Sequence, residues 1–289
     1  MACWHGVGFR LSSVRPAVAA AAALVVTLAG CSTASGRMAT VPAVAEPATV
    51  QVFAAGSLRE VLTDIARDHE ARTGQKLVLT FGASGLLRER IERGEPAQVF
   101  ASADTDHPQR LAARGGWQAP VVFTRNALCA LTSDQITATP DTLLATLLRS
   151  DVRVGTSTPK ADPSGDYAWA LFRQAERVQP GAFAQLDAKA LKLTGGADSP
   201  KPPAGRGTYA WVMEQRQADV FLTYCTNAVS AQAKVPGLRV VQLPPSLQVG
   251  AAYGLTVRSG ASAAAQAFAQ ALREPAAQAE LQRRGFGAP

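Results

Sequence analysis

Four short stretches place small polar residues where backbone donors gather. Ser57 in VFAAGSL and Ser84 in KLVLTFGAS each follow an apolar, β-branched run and open an amphipathic one. Ser164 lies between Pro163 and Gly165 in TPKADPSGDYAW, and Gly205 to Thr208, with Arg206 among them, form a comparable corner in PPAGRGTYAW. A serine at such a strand-to-helix turn can cap the helix, while N–H groups without an intrahelical partner face outward. Each helix N-terminus carries about half a positive charge, so several of them converging on one cleft suit a small anion. Open α/β sheets bind ligands in the crevice outside the carboxyl ends of their strands, where these corners fall.

Nucleophilic chemistry is the competing use of an exposed serine. Gly82-Ala83-Ser84-Gly85-Leu86 misses the G-x-S-x-G elbow because Leu86 replaces the second glycine. His69, beside Asp68 and Glu70, and His107, after Thr105-Asp106, both read as solvated surface residues. A serine hydrolase would therefore lack its base, and it is the weakest alternative. Cys/His metal spacing and a Walker phosphate loop are absent. No catalytic residue, no cofactor and no metal held by direct side-chain coordination are expected.

The elements that must position these corners alternate. Strand-like runs occur at residues 49–55, 76–82, 97–103, 152–156, 218–224 and 238–244, with another at 250–257. Helical candidates span 85–94, 106–114, 141–149, 165–177, 207–216 and 261–284. In the first helix Leu58, Val61, Leu62, Ile65 and Ala66 form an apolar stripe, with Arg59, Asp64, Arg67 and Asp68 turned to water. The pattern is α/β with mainly parallel sheets flanked by helices. A break near residues 119–125 suggests two lobes with a ligand cleft between them. The first part of lobe 1 is 50–124, lobe 2 is 125–228, and 229–289 returns to lobe 1. The Gly/Pro-rich segment 195–207 is long for a connector, which points to a functional loop.

Residues 1–31 read as an export signal: Arg10 and Arg15 precede an apolar run from Ala17 to Leu28. Leu28-Ala29-Gly30-Cys31 resembles a bacterial lipobox, which implies lipidation of Cys31 and a membrane anchor; ordinary signal cleavage is the alternative. The stretch 32–49 has little to pack and reads as a flexible tether. The chain of 289 residues carries a net charge of +7, and +5 remains once Arg10 and Arg15 leave with the signal. With no Lys/Arg run interleaved with aromatics, nucleic acid is excluded as a partner, although the basic surface can steer anions. Cys129 and Cys225 both sit in apolar, strand-like contexts in an exported chain. They can pair, or remain two buried thiols.

Residues 50 to 286 resemble the periplasmic molybdate-binding proteins that feed ABC importers. The resemblance rests on VFAAGSL, FGASGLLRERIERGEPAQVFASAD, DPSGDYA, ADVFLTYCTNAV and FAQALREPAAQAELQRRGFG. It implies the two-lobed periplasmic binding protein fold and a tetrahedral oxyanion, molybdate or tungstate, held by hydroxyls and amides. By position, Ser57 and Ser84 match the family's two serines and Tyr224 its tyrosine. Ser164 falls where the family supplies a backbone amide, and a further amide is expected near Gly205 or Arg206. The resemblance also implies an ABC permease as partner, an exported monomer, and delivery rather than catalysis. Such dianions are fully deprotonated near neutral pH and need donors but no acceptor. Two departures stand out: Arg206 replaces a neutral contact, and GGADSPKPP lengthens the loop before it. An arginine in the cleft would favour a larger or carboxylate-bearing ligand; Asp198 or Asp166 there would do the opposite. Another oxyanion or a small organic acid on the same fold is the main alternative. Tyr167, Trp169, Tyr209 and Trp211 read as helix-packing residues.

Overall fold

The computed structural model describes residues 49–289. The signal segment with Cys31, and residues 32–48 of the tether, lie outside the described residues. Among the described residues nine strands are formed: β1 (Val50–Ala55), β2 (Leu77–Gly82), β3 (Val99–Ser102), β4 (Val121–Thr132), β5 (Val154–Ser157), β6 (Leu191–Thr194), β7 (Val220–Tyr224), β8 (Arg239–Gln242) and β9 (Gly250–Val257). The helices are α1 (Arg59–Thr73), α2 (Ser84–Glu92), α3 (Asp106–Ala113), α4 (Leu143–Leu148), α5 (Pro163–Val178), α6 (Ala182–Lys189), α7 (Thr208–Glu214), α8 (Cys225–Gln232), α9 (Ala263–Ala271) and α10 (Pro275–Arg283).

The sheet order is β2-β1-β3-β9-β4-β7-β5-β6, with β8 also paired to β4. Pairing is parallel in β2-β1-β3 and in β7-β5-β6, the two portions that supply the serine and proline corners. It is antiparallel where β9 meets β3 and β4, and where β4 meets β7 and β8. The reason is β4, a single strand of 12 residues. Its first half pairs with β9 and its second half with β7 and β8, so one extended segment serves both portions. The expected break near 119–125 is thus continuous with NALCALT.

The α1 stripe forms as its spacing predicts, with Val61, Leu62, Ile65 and Ala66 buried against the sheet. His69 stands one turn beyond Ile65 on that same face, so it is buried and meets the Phe268 ring edge-on at 5.2 Å. The surface assignment for this histidine is therefore corrected by the helical period itself. His107 is also buried, in the first turn of α3, and burial pushes its imidazole down to about 4, with help from Arg88 and Arg110. The 261–284 candidate is two helices, because Pro275 begins α10 and the chain breaks before it.

Candidate ligand-binding site

The register of β1 and β2 places the two serine corners at one level. Ala55 pairs with Gly82, and Ser57 and Ser84 each lie two residues further on. Neither hydroxyl caps its helix. Ser57 sits inside a 3-10 turn, Gly56–Leu58, and Ser84 is the first residue of α2, whose cap position is Ala83. Both hydroxyls are therefore free for tertiary contacts. Ser57 Oγ shares a hydrogen bond of 2.9 Å with Tyr253 Oη, and Ser84 Oγ accepts the Ala103 N–H at 3.1 Å.

Ala103 follows directly after β3 and joins these corners to Tyr224. The Tyr224 hydroxyl donates to the Ala103 carbonyl at 3.2 Å, so one residue's backbone spans Ser84 and the tyrosine. Tyr224 ends β7 and is buried; its ring packs at 5.5 Å from Tyr253 and edge-on to Tyr167. Burial drives both the Tyr224 and Tyr253 phenols well above their ordinary range, so both remain hydroxyl donors at any physiological pH. Asn126 in β4 adds its side-chain amide, donating to Thr226 Oγ1 at 2.9 Å and to Tyr253 Oη at 3.4 Å.

A cleft of about 740 Å³ is lined by Ser57, Ser84, Ala103 and Tyr224, and by Gly205 and Arg206 from the long loop; Tyr253 and Asn126 stand behind this lining. Ser164 does not line it. Its N–H donates to Asp162 Oδ1 at 3.0 Å, and its hydroxyl is buried without a hydrogen-bond partner. Arg206 is half-exposed and pairs with Glu214 on α7, which raises its pKa. Its charge is thereby partly answered within the protein. Of the aromatics, Trp169 packs on Phe172, and only Tyr209 among the four borders the cleft, edge-on to Phe221.

Two features were not read from the sequence. Tyr253 and Asn126 lie far along the chain from Ser57, and their local strands carry no polar-site signal. The other is Asp162, a carboxylate in the cleft wall; Asp198 is exposed, while Asp166 accepts the Lys160 N–H at 3.0 Å. The Asp-Pro pair at a helix start was the available signal, since Asp is a preferred cap ahead of Pro at the first helical position. At the mouth, Glu60 accepts from Lys234 at 2.7 Å and from Ser230 at 3.0 Å, linking the start of α1 to α8. The Lys234 hydrogen bond holds Glu60 below its usual pKa. In the structure Cys129 and Cys225 form a disulfide, with Cα atoms 4.8 Å apart, immediately beside Tyr224.

The family model for bacterial extracellular solute-binding proteins matches residues 50–287. The chain is 39% identical over 207 residues to an uncharacterized protein of Pasteurella multocida (strain Pm70), covering 71% of this chain and 86% of the other. It is 29% identical over 262 residues to the molybdate-binding protein of Escherichia coli (strain K12), covering 84% and 91%. Its fold is similar to the solved structure of the Azotobacter vinelandii periplasmic molybdate-binding protein, with a TM-score of 0.67, 21% identity and coverage of 83% and 99%.

Proposed function

Because the chain belongs to the bacterial extracellular solute-binding proteins, we propose that it captures molybdate or tungstate and hands it to the permease of an ABC importer. It is the substrate-binding component of such an importer and not an enzyme, and it holds its solute without a cofactor. The observation that carries the choice of solute is the pair of hydroxyls, Ser57 and Ser84, set at one level by the Ala55–Gly82 register and opening on one cleft with Tyr224. Hydroxyls are suited to a dianion because each can donate. A hydrogen bond to a charged group contributes about 1.5–3 kcal/mol.

In this reading residues 50–124 and 229–289 act as one lobe and 125–228 as the other. Ser57 and Ser84 come from the first and Tyr224 from the second, so closure surrounds the ion. Gly205 and Arg206 complete the wall from the loop side. The amide of Ser164 contributes by orienting Asp162 rather than by direct contact. The mature protein is a monomer tethered through lipidated Cys31, with residues 32–49 as the leash.

The volume of the cleft, about 740 Å³, favours a second reading, another oxyanion or a small organic acid. Calorimetric titration of the purified protein with molybdate, tungstate, sulfate and phosphate in one buffer separates the two. The first reading expects one-to-one binding of molybdate and tungstate with far weaker response to the others. Heat from sulfate or phosphate alone, or from none of the four, overturns it.

A further inference from the structure

Asp162 sits badly with a ligand that only accepts hydrogen bonds, and this inference rests on the oxyanion reading above. Its place is fixed by the backbone on three sides. Asp162 is the cap residue of α5, and its Oδ1 accepts the Ser164 N–H at 3.0 Å. The adjoining Ala161 carbonyl accepts the Gly85 N–H at 2.8 Å, which ties this turn to the residue after Ser84. On the third side is Gly195, in the left-handed region at φ 75°; a Cβ there would lie 2.5 Å from Asp162 Oδ2. Glycine thus leaves the room that the carboxylate occupies.

The charges around it are mostly of its own sign. Asp166 on α5 and Asp104 after β3 both act on it, and Asp104 and Asp166 in turn face His107 on α3. Ser157 from β5 hydrogen-bonds to it, and the phenols of Tyr209 on α7, Tyr224 on β7 and Tyr253 on β9 lie within its field. Three of the cations that share the cleft are engaged elsewhere, Lys234 with Glu60, Arg206 with Glu214 and Arg284 with Asp64, and a fourth, Arg59, lies 4.6 Å over the Phe81 ring. Lys201, from the long loop, also lines the cleft.

We propose that Asp162 couples capture to one proton, so that the cleft holds the dianion with Asp162 in its carboxylic acid form and repels it when Asp162 is ionised. A neutral Asp162 adds a donor to the set supplied by Ser57 and Ser84; an ionised one adds a negative charge to a site closing on two more. Burial, against the Ser164 amide and the Ser157 hydroxyl, already holds this carboxyl up at about 6. A bound dianion raises it further. Between those two values binding takes up a proton from solvent, so affinity falls as pH rises, by up to about tenfold per unit. Below about 6 the proton is already present and the affinity levels off.

The test is calorimetry of the full protein with tungstate and with molybdate between about pH 6.5 and about pH 8.5, in buffers of different ionisation heat, which counts protons taken up. The expected result is uptake approaching one proton and an affinity that declines across that range. In Asp162→Asn, whose side chain can still cap α5, the pH slope and the proton uptake should vanish while tungstate binding persists at the alkaline end. Asp162→Ser, also a good cap, should flatten the slope in the same way and guards against a folding artefact of one variant. Tight binding by the wild type with no proton uptake, or an unchanged slope in both variants, overturns the role of Asp162 and leaves the oxyanion reading standing. Selective phosphate binding that disappears in Asp162→Asn overturns it too, because the carboxylate then accepts the ligand's own proton. Failure to bind either metal oxyanion at any pH removes the reading on which it rests.

Discussion

Ser57 and Ser84 differ in what their loss leaves behind. Ser57 Oγ exchanges a hydrogen bond with Tyr253 Oη, and Tyr253 retains Asn126 as a partner when the serine is truncated. Ser84 Oγ accepts the buried Ala103 N–H, which has to find another acceptor or stay unsatisfied. Ser57→Ala should therefore weaken tungstate binding by roughly tenfold with little change in thermal stability, whereas Ser84→Ala should weaken binding comparably and also destabilise the protein by about 1–3 kcal/mol. Titration and thermal melts on the two variants check this, and equal melting temperatures would remove the structural part of the Ser84 argument. Tyr253→Phe keeps the ring against Tyr224 and Phe286 but deletes the hydroxyl that orients Ser57. It should lose several-fold in affinity with the fold intact. The serines were legible because a β-branched run followed by small residues and an amphipathic stripe marks a strand-turn-helix corner wherever it occurs. Tyr253 was not, because GAAYGLTV reads only as a buried strand, and the partner it orients lies 196 residues away.

The elements that hold the corners depend on close backbone approach at α2. Gly85 is the second residue of that helix, where alanine would ordinarily be preferred by about 1 kcal/mol. A Cβ there would stand 2.3 Å from the Lys160 carbonyl oxygen and 2.7 Å from that of Ala161. Those are backbone atoms with no rotamer to yield, so the contact outweighs the propensity. Gly85→Ala should push the Ser84 corner away from the Asp162 turn, lower stability by about 1–3 kcal/mol and weaken anion binding together with it; a melting temperature raised by the substitution would show that the turn moves freely. The same level shows where sequence reading stops. Strands β1, β2, β3, β7 and β9 were each marked by apolar β-branched runs. LKLT of β6 is four residues long with only Thr194 buried, and α8 begins at Cys225 directly after β7 with no breaker between. Without a turn residue or a clear apolar stripe, neither announces itself locally. β6 is defined by its pairing with β5, and α8 by its packing on β4 and β8.

Across the whole molecule, β4 is the member that both sheet portions share, and the disulfide is fastened to it. Cys129 pairs in register with Thr223 on β7, so the native fold already brings it beside Cys225 and the bond costs the folded chain little movement. The unfolded chain is affected far more, since the cross-link joins residues 96 apart in sequence. In the chain-entropy account a loop of that length contributes up to about 4.7 kcal/mol, and measured values for disulfides commonly fall nearer 2–4 kcal/mol. For a body of this size each kcal/mol corresponds to about 2–4 °C in Tm. The Cys129→Ser/Cys225→Ser double variant should therefore melt roughly 5–15 °C below the wild type, and reduction of the wild type by a thiol should reproduce the shift. Cys225 adjoins Tyr224, whose hydroxyl is anchored on the Ala103 carbonyl independently of the bond. Affinity for tungstate should thus fall less than stability does, and saturating ligand should recover several degrees in the variant by mass action, following RT ln(1 + [L]/Kd). An unchanged melting temperature after complete reduction would mean that the disulfide adds nothing to a fold already held by its strand pairings and core. A large loss of affinity with little loss of stability would instead assign the disulfide to positioning Tyr224 in the cleft wall.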